Sequence, residues 1–260
     1  MQIMIGVMND PRRSIYEEIE AIGEAGYDFV DLTLEGPAAL KVDTRRAAGL
    51  CRRYGLAVVG HTDPCLPWAY PLRELREGCL AVLERCAHIF CRLGASVMNL
   101  HPCYSCPPAM KPDLPELNRS ALPALVRMAR DHGLELVLEN FTAPFDRVAV
   151  FRRLMEAAPG LKVHLDVGHA NLGGDGFDVF LDRLGPHVRH VHFSDNRGNA
   201  DQHMPLGVGV IPWSDVASAL RRTGYRGTVT LEVFCGDPRE RFRYLAVSRE
   251  LVRRLWEEAL

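Results

Sequence analysis

The sequence predicts a single (β/α)8 barrel, in which eight parallel strands alternate with eight helices. Three observations lead to this fold class. Short apolar runs alternate with longer amphipathic runs along the 260 residues. Eight such pairs fill the length that this barrel needs as one domain, over residues 1–260. Polar side chains that can bind metals or protons stand at the ends of most apolar runs, where this architecture places its active sites.

The apolar runs predict the strands, because they are short and rich in aliphatic and β-branched residues. In chain order they span 3–8, 29–34, 57–62, 96–101, 135–140, 162–167, 189–194 and 228–233. Runs with helical periodicity lie between them and after the last one, at 14–26, 44–55, 72–94, 117–133, 148–158, 177–185, 213–224 and about 239–258. Several helices close with a glycine, as expected for a helix C-terminus. These glycines are Gly26, Gly55, Gly94, Gly133 and Gly224.

The alternative to a closed barrel is an open, doubly wound parallel sheet. No glycine-rich nucleotide loop follows the first predicted strand, so the barrel is favoured and no nucleotide cofactor is expected. The chain shows no linker and no low-complexity segment, which agrees with one domain.

Composition narrows the class of protein and the compartment. The net charge is −2, so no global positive field recruits nucleic acid. No apolar run approaches the ~20 residues of a membrane span, and the first residues lack the features of a signal peptide. The eight cysteines lack disulfide-framework spacing. We therefore expect a protein of the reducing cytoplasm, with no membrane partner.

Ligand-type side chains recur at the carboxyl ends of six consecutive predicted strands. A barrel brings these ends together in one mouth, and a buried carboxylate is costly unless it is paired or coordinated. A joint metal site is the simplest explanation. The histidines at 164 and 190 are expected to point away from the ligand-bearing face and to be structural. The strand-end side chains are His61, His101, Glu139, Asp166 with His169, His192 with Asp195, Asp201 and His203 in the loop that follows, and Glu232.

The segments around these residues resemble the xylose isomerase-like barrel superfamily, which includes sugar isomerases and epimerases and the endonuclease IV repair enzymes. The most specific segments are DVGH (166–169), HFSDNRG (192–198), DQHMPLGVG (201–209) and LEV (231–233). In the sugar enzymes, two glutamates, an aspartate and a histidine hold one divalent metal. The resemblance assigns these roles to Glu139, Asp166, His192 and Glu232, and assigns contacts with sugar oxygens to His169 and Arg197.

The endonuclease IV pattern is the alternative, because the chain offers a candidate for each of its nine zinc ligands. These candidates are His61, His101, Glu139, Asp166, His169, His192, Asp201, His203 and Glu232. Two departures favour the sugar-type interpretation. Arg197 stands where the repair enzymes usually have a lysine, and LENFTAP (138–144) lacks the small residues that usually follow their glutamate. Loops with basic and aromatic residues for gripping a duplex are also not evident, so nucleic acid is not the expected partner.

The expected activity is therefore a divalent-metal-dependent isomerisation or epimerisation of a sugar, a sugar phosphate or a related polyol. A metal ion (Zn, Mn, Mg or Co) would polarise a carbonyl, and Glu139 and Glu232 would move protons at the neighbouring carbon. His169, Arg197, His61 and His101 are expected to bind the substrate. The resemblance also implies a possible homo-oligomer. The C-x-x-C pair Cys103 and Cys106 is either a zinc or redox pair or two ordinary loop cysteines.

Overall fold

The computed structural model describes residues 3–237 and 239–257. Its strands form a closed parallel barrel in sequence order, which confirms the predicted (β/α)8 fold class. The predicted strand ends differ from the observed ones by at most two residues. The strands are β1 (Met4–Met8), β2 (Phe29–Leu34), β3 (Ala57–Thr62), β4 (Val97–Leu100), β5 (Glu135–Glu139), β6 (Lys162–Asp166), β7 (Val188–Phe193) and β8 (Thr228–Leu231).

The helices include all those predicted from sequence periodicity, together with short ones that are too brief to leave a periodic pattern. The last predicted helix ended near position 258, which lies outside the described residues. Short 3₁₀ helices lie at Pro108–Asp113 and Gly185–His187. The α-helices are α1 (Ile15–Glu24), α2 (Gly36–Ala39), α3 (Thr44–Tyr54), α4 (Arg73–Arg92), α5 (Leu114–Asp131), α6 (Val148–Ala157), α7 (Val167–Ala170), α8 (Phe177–Leu184), α9 (Trp213–Arg222) and α10 (Arg241–Glu257).

Local chemistry accounts for the ends of these helices, and α3 is a clear case. The Asp43 side chain accepts hydrogen bonds from the backbone N–H groups of Arg45 and Arg46, which satisfies two of the free donors of the first turn. The helix ends at Gly55, whose φ of 68° is the left-handed conformation that glycine adopts without strain. None of the described helices has both the length and the apolar sequence that a bilayer crossing requires.

Contacts within the chain define two compact units. The N-terminal unit comprises Asn9–Glu139 and Ala149–Lys162, and the C-terminal unit comprises Met1–Met8, Asn140–Val148 and Val163–Leu260.

In the N-terminal unit, strand register places the interior residues at matching heights. On the β2–β3 pair, Thr33 lies opposite His61, and on the β4–β5 pair Asn99 lies opposite Val137. Phe29, Val59, Val97 and Val137 form a buried apolar cluster. The apolar burial of this cluster stabilises the strands that carry the polar interior side chains.

In the C-terminal unit, the register corrects one expectation about the histidines. Asp166 lies opposite His192, and His164 lies opposite His190. The ring centroids of His164 and His192 are 4.0 Å apart, and those of His190 and His192 are 5.0 Å apart. The prediction that the histidines at 164 and 190 point away from the ligand-bearing face was therefore wrong. Residues two apart in a strand share a face, so these rings lie one layer below the ligand-type side chains.

Candidate functional site

Asp166, at the end of β6, is held from both sides in the C-terminal unit. The side chain of Asn140 accepts a hydrogen bond from the backbone N–H of Asp166 at 2.7 Å and donates to its carbonyl at 2.8 Å. The Asp166 carboxylate caps α7 by accepting from the backbone N–H of His169 at 2.6 Å. The other carboxylate oxygen, Oδ2, lies 3.9 Å from Nδ1 of His192. The DVGH segment thus holds the Asp166 carboxylate in place facing His192.

His192 and Glu232 complete this cluster at the ends of β7 and β8. His192 is fully buried and Glu232 is 8% exposed. Nδ1 of His192 lies 3.0 Å from Oε2 of Glu232. The backbone N–H of Glu232 donates to the carbonyl of Phe193, which places the glutamate directly after the strand pairing of β7 and β8. Three of the four predicted metal ligands therefore lie side by side in the C-terminal unit.

In the histidine layer below this cluster, His190 contacts two threonines. Nδ1 of His190 lies 2.6 Å from the hydroxyl of Thr228, and Nε2 lies 3.3 Å from the hydroxyl of Thr230. Both nitrogens of this ring thus have hydroxyl partners, which is typical of a structural histidine. The expectation of a structural role for His190 fits these contacts, although its assigned face was wrong.

Glu139 belongs to a second cluster, in the N-terminal unit. Its Oε2 accepts a hydrogen bond from Nδ2 of Asn99 at 2.9 Å and lies 3.1 Å from Nε2 of His101. The rings of His61 and His101 are 5.0 Å apart. His61, His101 and Glu139 each offer a ligand atom, and these atoms all lie within 4.8 Å of one another. This group can hold a metal ion by its donor chemistry.

Sequence reasoning missed two polar residues of this cluster, Asn99 and Asp31. Asp31 is fully buried on β2, and its Oδ1 lies 3.6 Å from Nδ1 of His61. Asn99 is fully buried and orients both Glu139 and His61, since its Nδ2 also lies 3.3 Å from Nε2 of His61. The available signal was a polar residue inside an otherwise apolar run, as in FVDLTL and SVMNLH. Such residues are costly to bury without partners, which makes them informative.

The loop after β7 carries a linked trio of predicted ligands in the C-terminal unit. Oδ2 of Asp201 lies 3.2 Å from Nε2 of His169 and 3.0 Å from Nε2 of His203. Burial acts to raise the pKa of Asp201, but hydrogen bonds with the two histidines outweigh it and hold that pKa well below its ordinary value. Burial likewise acts to lower the pKa of His203. The hydrogen bond with Asp201 and the nearby Glu232 and Asp166 charges outweigh burial and raise this pKa to about 9.

His203 is also unusual in its backbone. Its φ of 46° is left-handed, which is uncommon for a residue with a side chain. The ring stacks on Phe234 with centroids 4.2 Å apart, and the His203 carbonyl accepts a hydrogen bond from the Phe234 N–H at 3.0 Å. These contacts and the pairing with Asp201 offset the conformational cost.

The predicted substrate-binding residues differ in their surroundings. His169 is buried at 5% exposure, its Nδ1 lies 3.0 Å from the carbonyl of Asn140, and its ring meets the edge of Phe141. Arg197 is exposed, and its backbone N–H donates to the side chain of Gln202. Within the described part of the chain its guanidinium makes no ion pair. The His169 ring is therefore held by its neighbours, whereas the Arg197 side chain is exposed to solvent.

A cavity of about 260 Å³ lies beside the carboxyl end of β2 in the N-terminal unit. Its lining includes the buried pair Asn9 and Thr33 and the charged side chains of Arg13, Glu35 and Lys41. The Thr33 hydroxyl donates to Glu35 at 3.0 Å. Thr33 lies opposite His61 in the strand register, so this cavity adjoins the strand that carries a predicted site residue.

The C-x-x-C pair lies in the loop that follows β4. Both Cys103 and Cys106 are free thiols. Burial raises the pKa of the Cys103 thiol, which lowers its reactivity. The backbone of Cys103 makes two hydrogen bonds of 2.9 Å with the side chain of Asn118, which fixes the loop after β4.

The chain is similar to known 3-epimerases in sequence and to a solved structure in fold. It is 23% identical over 256 residues to fructoselysine 3-epimerase of Escherichia coli O157:H7, covering 87% of this chain and 92% of that protein. It is 28% identical over 233 residues to ketose 3-epimerase of Arthrobacter globiformis, covering 83% and 76% of the two chains. The solved structure of a D-tagatose 3-epimerase-like protein has the same fold, with a TM-score of 0.84, 23% identity and coverage of 98% and 97%.

The profile of one family spans nearly the whole chain. Residues 19–254 match the family described as xylose isomerase-like TIM barrel. This match covers every strand from β2 to β8 and both clusters described above. The chain therefore belongs to the xylose isomerase-like TIM barrel family.

Proposed function

We propose that this protein is a divalent-metal-dependent epimerase or isomerase that acts on a sugar, a sugar phosphate or a related polyol by moving a proton beside a carbonyl. The observation that carries the proposal is the set of buried carboxylates and imidazoles at the carboxyl ends of the strands. The relatives named above are ketose and fructoselysine 3-epimerases, which supports epimerisation at carbon 3 of a ketose. None of them favours the endonuclease IV-like alternative.

The proposed metal ligands are Glu139, Asp166, His192 and Glu232. Their chemistry fits a divalent ion, since three carboxylates and one imidazole supply hard oxygen donors and one nitrogen. The Asp166 carboxylate accepts from the backbone N–H of His169 and faces the imidazole of His192, and the Glu232 carboxylate meets the same imidazole. Buried carboxylates so arranged are favourable ligands, because a cation offsets the cost of their burial. Mn or Mg suits the carboxylates, and the surrounding histidines also admit Zn or Co.

When bound, the metal would polarise the substrate carbonyl and acidify the neighbouring C–H bond. Glu139 would remove or return the proton on one face of the substrate, and Glu232 would serve the other face. Asn99 and His101 orient the carboxylate of Glu139, whereas His192 orients that of Glu232. These contacts keep each carboxylate from rotating away from the reacting carbon.

We propose that the remaining predicted residues bind the substrate. His169 would bond a hydroxyl, and the exposed Arg197 would close on substrate oxygens from the loop after β7. His61 and His101 would contact the substrate from the N-terminal unit. The cavity lined by Asn9, Thr33, Glu35 and Lys41 would take the end of the substrate that does not react. These four polar side chains can exchange hydrogen bonds with substrate hydroxyl groups.

We also propose a cytoplasmic, carbohydrate-metabolising protein that can form a homo-oligomer. All eight cysteines are free thiols, which supports a reducing compartment.

The test is exchange of substrate protons with solvent. The metal-loaded protein is incubated in deuterated water with a panel of ketoses and ketose phosphates, and the products are followed by NMR. We expect deuterium at the carbon beside the carbonyl, appearing together with the epimer or isomer. Absence of exchange across the panel, with chelator-sensitive nicking of abasic DNA by the same preparation, would overturn the proposal.

A further inference from the structure

The position of Asp195 in the sequence suggests a metal ligand, but its contacts are those of a structural residue. It lies three residues after His192 in the HFSDN segment and is fully buried. In the C-terminal unit both of its carboxylate oxygens accept hydrogen bonds, two each, at 2.8 to 3.2 Å. The four donors are the backbone N–H groups of Asn196, Gly207 and Ile211 and the indole N–H of Trp213. A buried carboxylate with four donors is satisfied without a metal ion.

Three of these donors lie in one loop, residues 196–211, and the fourth, Trp213, is the first residue of α9. Asn196 starts the loop and Ile211 ends it, so a single carboxylate ties the two ends together. The backbones of Asp195 and Met204 also exchange two hydrogen bonds, of 2.9 and 2.8 Å. At Gly209, an added Cβ would overlap the carboxylate of Asp195 and the carbonyl of Asn196. The packing around the carboxylate thus requires glycine at this position.

The next residue, Asn196, joins the same loop to the DVGH segment. Its side chain donates to the carbonyl of Gly168 at 2.8 Å and accepts from the side chain of Asn171 at 2.8 Å. Hydrogen bonds therefore connect the loop to α7 and to the residue that follows it. Between the anchored ends lie Arg197, Asp201 and His203, and Asp201 reaches across to His169.

We propose that Asp195 is a positioning residue, not a metal ligand: its carboxylate shapes the 196–211 loop so that Arg197, Asp201 and His203 are held ready for the substrate. This proposal rests on the proposed function, since it names the element that recognises the sugar. Charge-assisted hydrogen bonds are about twice as strong as neutral ones, which explains why an aspartate and not an asparagine stands here. The loop is ordered before the substrate arrives, so binding need not supply that ordering.

The test compares Asp195→Asn with the full-length parent protein. The asparagine keeps the shape but replaces one acceptor oxygen with an NH₂ group that cannot accept a hydrogen bond. We expect the amides of Gly207 and Ile211 to exchange with deuterium at least about tenfold faster, because anchored loops open locally once their bonds are lost. Metal content should stay at the parent level. KM for the ketose should rise about tenfold or more, with a smaller change in kcat, as expected for lost substrate binding.

Two further variants keep the result interpretable. Asp182→Asn removes a carboxylate that is 71% exposed on α8, and should leave exchange, metal content and KM unchanged. Trp213→Phe removes the indole donor together with part of a buried ring, leaves the three backbone donors in place, and serves if Asp195→Asn does not fold. It should raise amide exchange of the loop and KM in the same direction, but less.

Three outcomes would overturn the proposal. Loss of metal with intact amide protection would make Asp195 a ligand. Unchanged protection and unchanged KM would leave it without a positioning role, and a fall in kcat alone would place it in the chemical step. If the parent protein turns over no ketose, the proposed function fails, while amide exchange and metal content still decide whether Asp195 anchors the loop.

Discussion

At the scale of single residues, the two proposed proton-transfer groups are held by different neighbours. Glu139 meets the imidazole of His101 at 3.1 Å and the amide of Asn99, whereas Glu232 meets the imidazole of His192 at 3.0 Å. Both are buried, so each needs these partners or a cation. A carboxylate that serves as a ligand and as a base should lose these two roles to different extents when it becomes an amide.

Replacing either glutamate with glutamine separates the two roles. Glu139→Gln and Glu232→Gln retain side-chain size and one ligand oxygen but lose the basic oxygen. We expect bound metal to remain, with weaker affinity, while kcat falls by about 10²-fold or more, the usual contribution of a general base. Elemental analysis and initial rates check the two effects.

The matched control is Glu135→Gln, at the opposite end of β5 from Glu139 and exposed. It should retain parental turnover. Full turnover in both Glu139→Gln and Glu232→Gln would show that the assigned proton transfers are wrong, whatever the metal content.

The raised pKa of His203 predicts a pH dependence of stability. The folded pKa is about 9, above the ordinary value of 6.5, so the protonated form is favoured by folding. This stabilisation is fully present below pH 6.5 and is lost as the pH rises through about 9. We expect the free energy of unfolding of chelator-treated protein to fall by on the order of 2 kcal/mol more in the parent than in His203→Gln between pH 7 and 10.

Urea unfolding at each pH measures this difference. His187→Gln, at an exposed position, serves as the control and should follow the parent. Identical pH profiles for the parent and His203→Gln would contradict the ion pair with Asp201.

At the scale of elements, β3 shows how close packing positions a site residue. Gly60 precedes His61, and a Cβ added at this glycine would meet the ring of Phe90 on α4 at 2.5 Å. The absence of a side chain lets α4 lie close to β3, which leaves His61 on the interior side of the strand, near Asp31 and His101. Gly60, which has no side chain, thus helps to determine where the His61 side chain lies.

Adding a methyl group here should therefore be costly. We expect Gly60→Ala to destabilise the protein by about 1 to 3 kcal/mol, because the ring of Phe90 must shift within a packed core. Gly78→Ala is the control, since Gly78 lies on α4 with open space around its Cβ position. That variant should be stabilised by about 0.5 to 1 kcal/mol, through helix propensity. Equal midpoints of chemical unfolding for the two variants would contradict this account of the β3–α4 packing.

At the scale of the whole molecule, the number of metal ions separates the two chemistries that the sequence allows. A sugar-type enzyme holds one ion on two glutamates, an aspartate and a histidine, whereas the repair-type alternative needs three. Asp201 pairs with His169 and His203, which are further ligand candidates of the repair-type pattern. The number of bound ions therefore decides between the two chemistries.

We expect elemental analysis of the purified protein to find about one divalent ion per chain. A hundredfold excess of that ion over its Kd should raise the free energy of unfolding by about 2.7 kcal/mol, since ligand binding stabilises the folded state by mass action. His203→Ala should keep the ion and measurable activity. About three zinc ions per chain, with one lost in His203→Ala, would contradict this prediction and favour the repair-type chemistry.

The sequence by itself determined the fold class, the order of elements and most of the candidate site. The reason is that strand length, helical period and capping glycines are local signals, and the carboxyl ends of parallel strands meet by topology alone. Short elements such as α2 and α7 left no periodic signal, and α7 starts at a cap in which the Asp166 carboxylate accepts from the N–H of His169.

Only the tertiary structure decided what each polar side chain does. Asp195 and Asp166 have the same residue type, and both lie near the carboxyl end of a strand. Four donors from the next loop and the start of α9 bond the carboxylate of Asp195, however, while Asp166 faces His192. Asp31 and Asn99 gained their roles from strands distant in sequence. The physical reason is that partners of a buried polar group are set by contacts across the fold, which residue type and spacing do not encode.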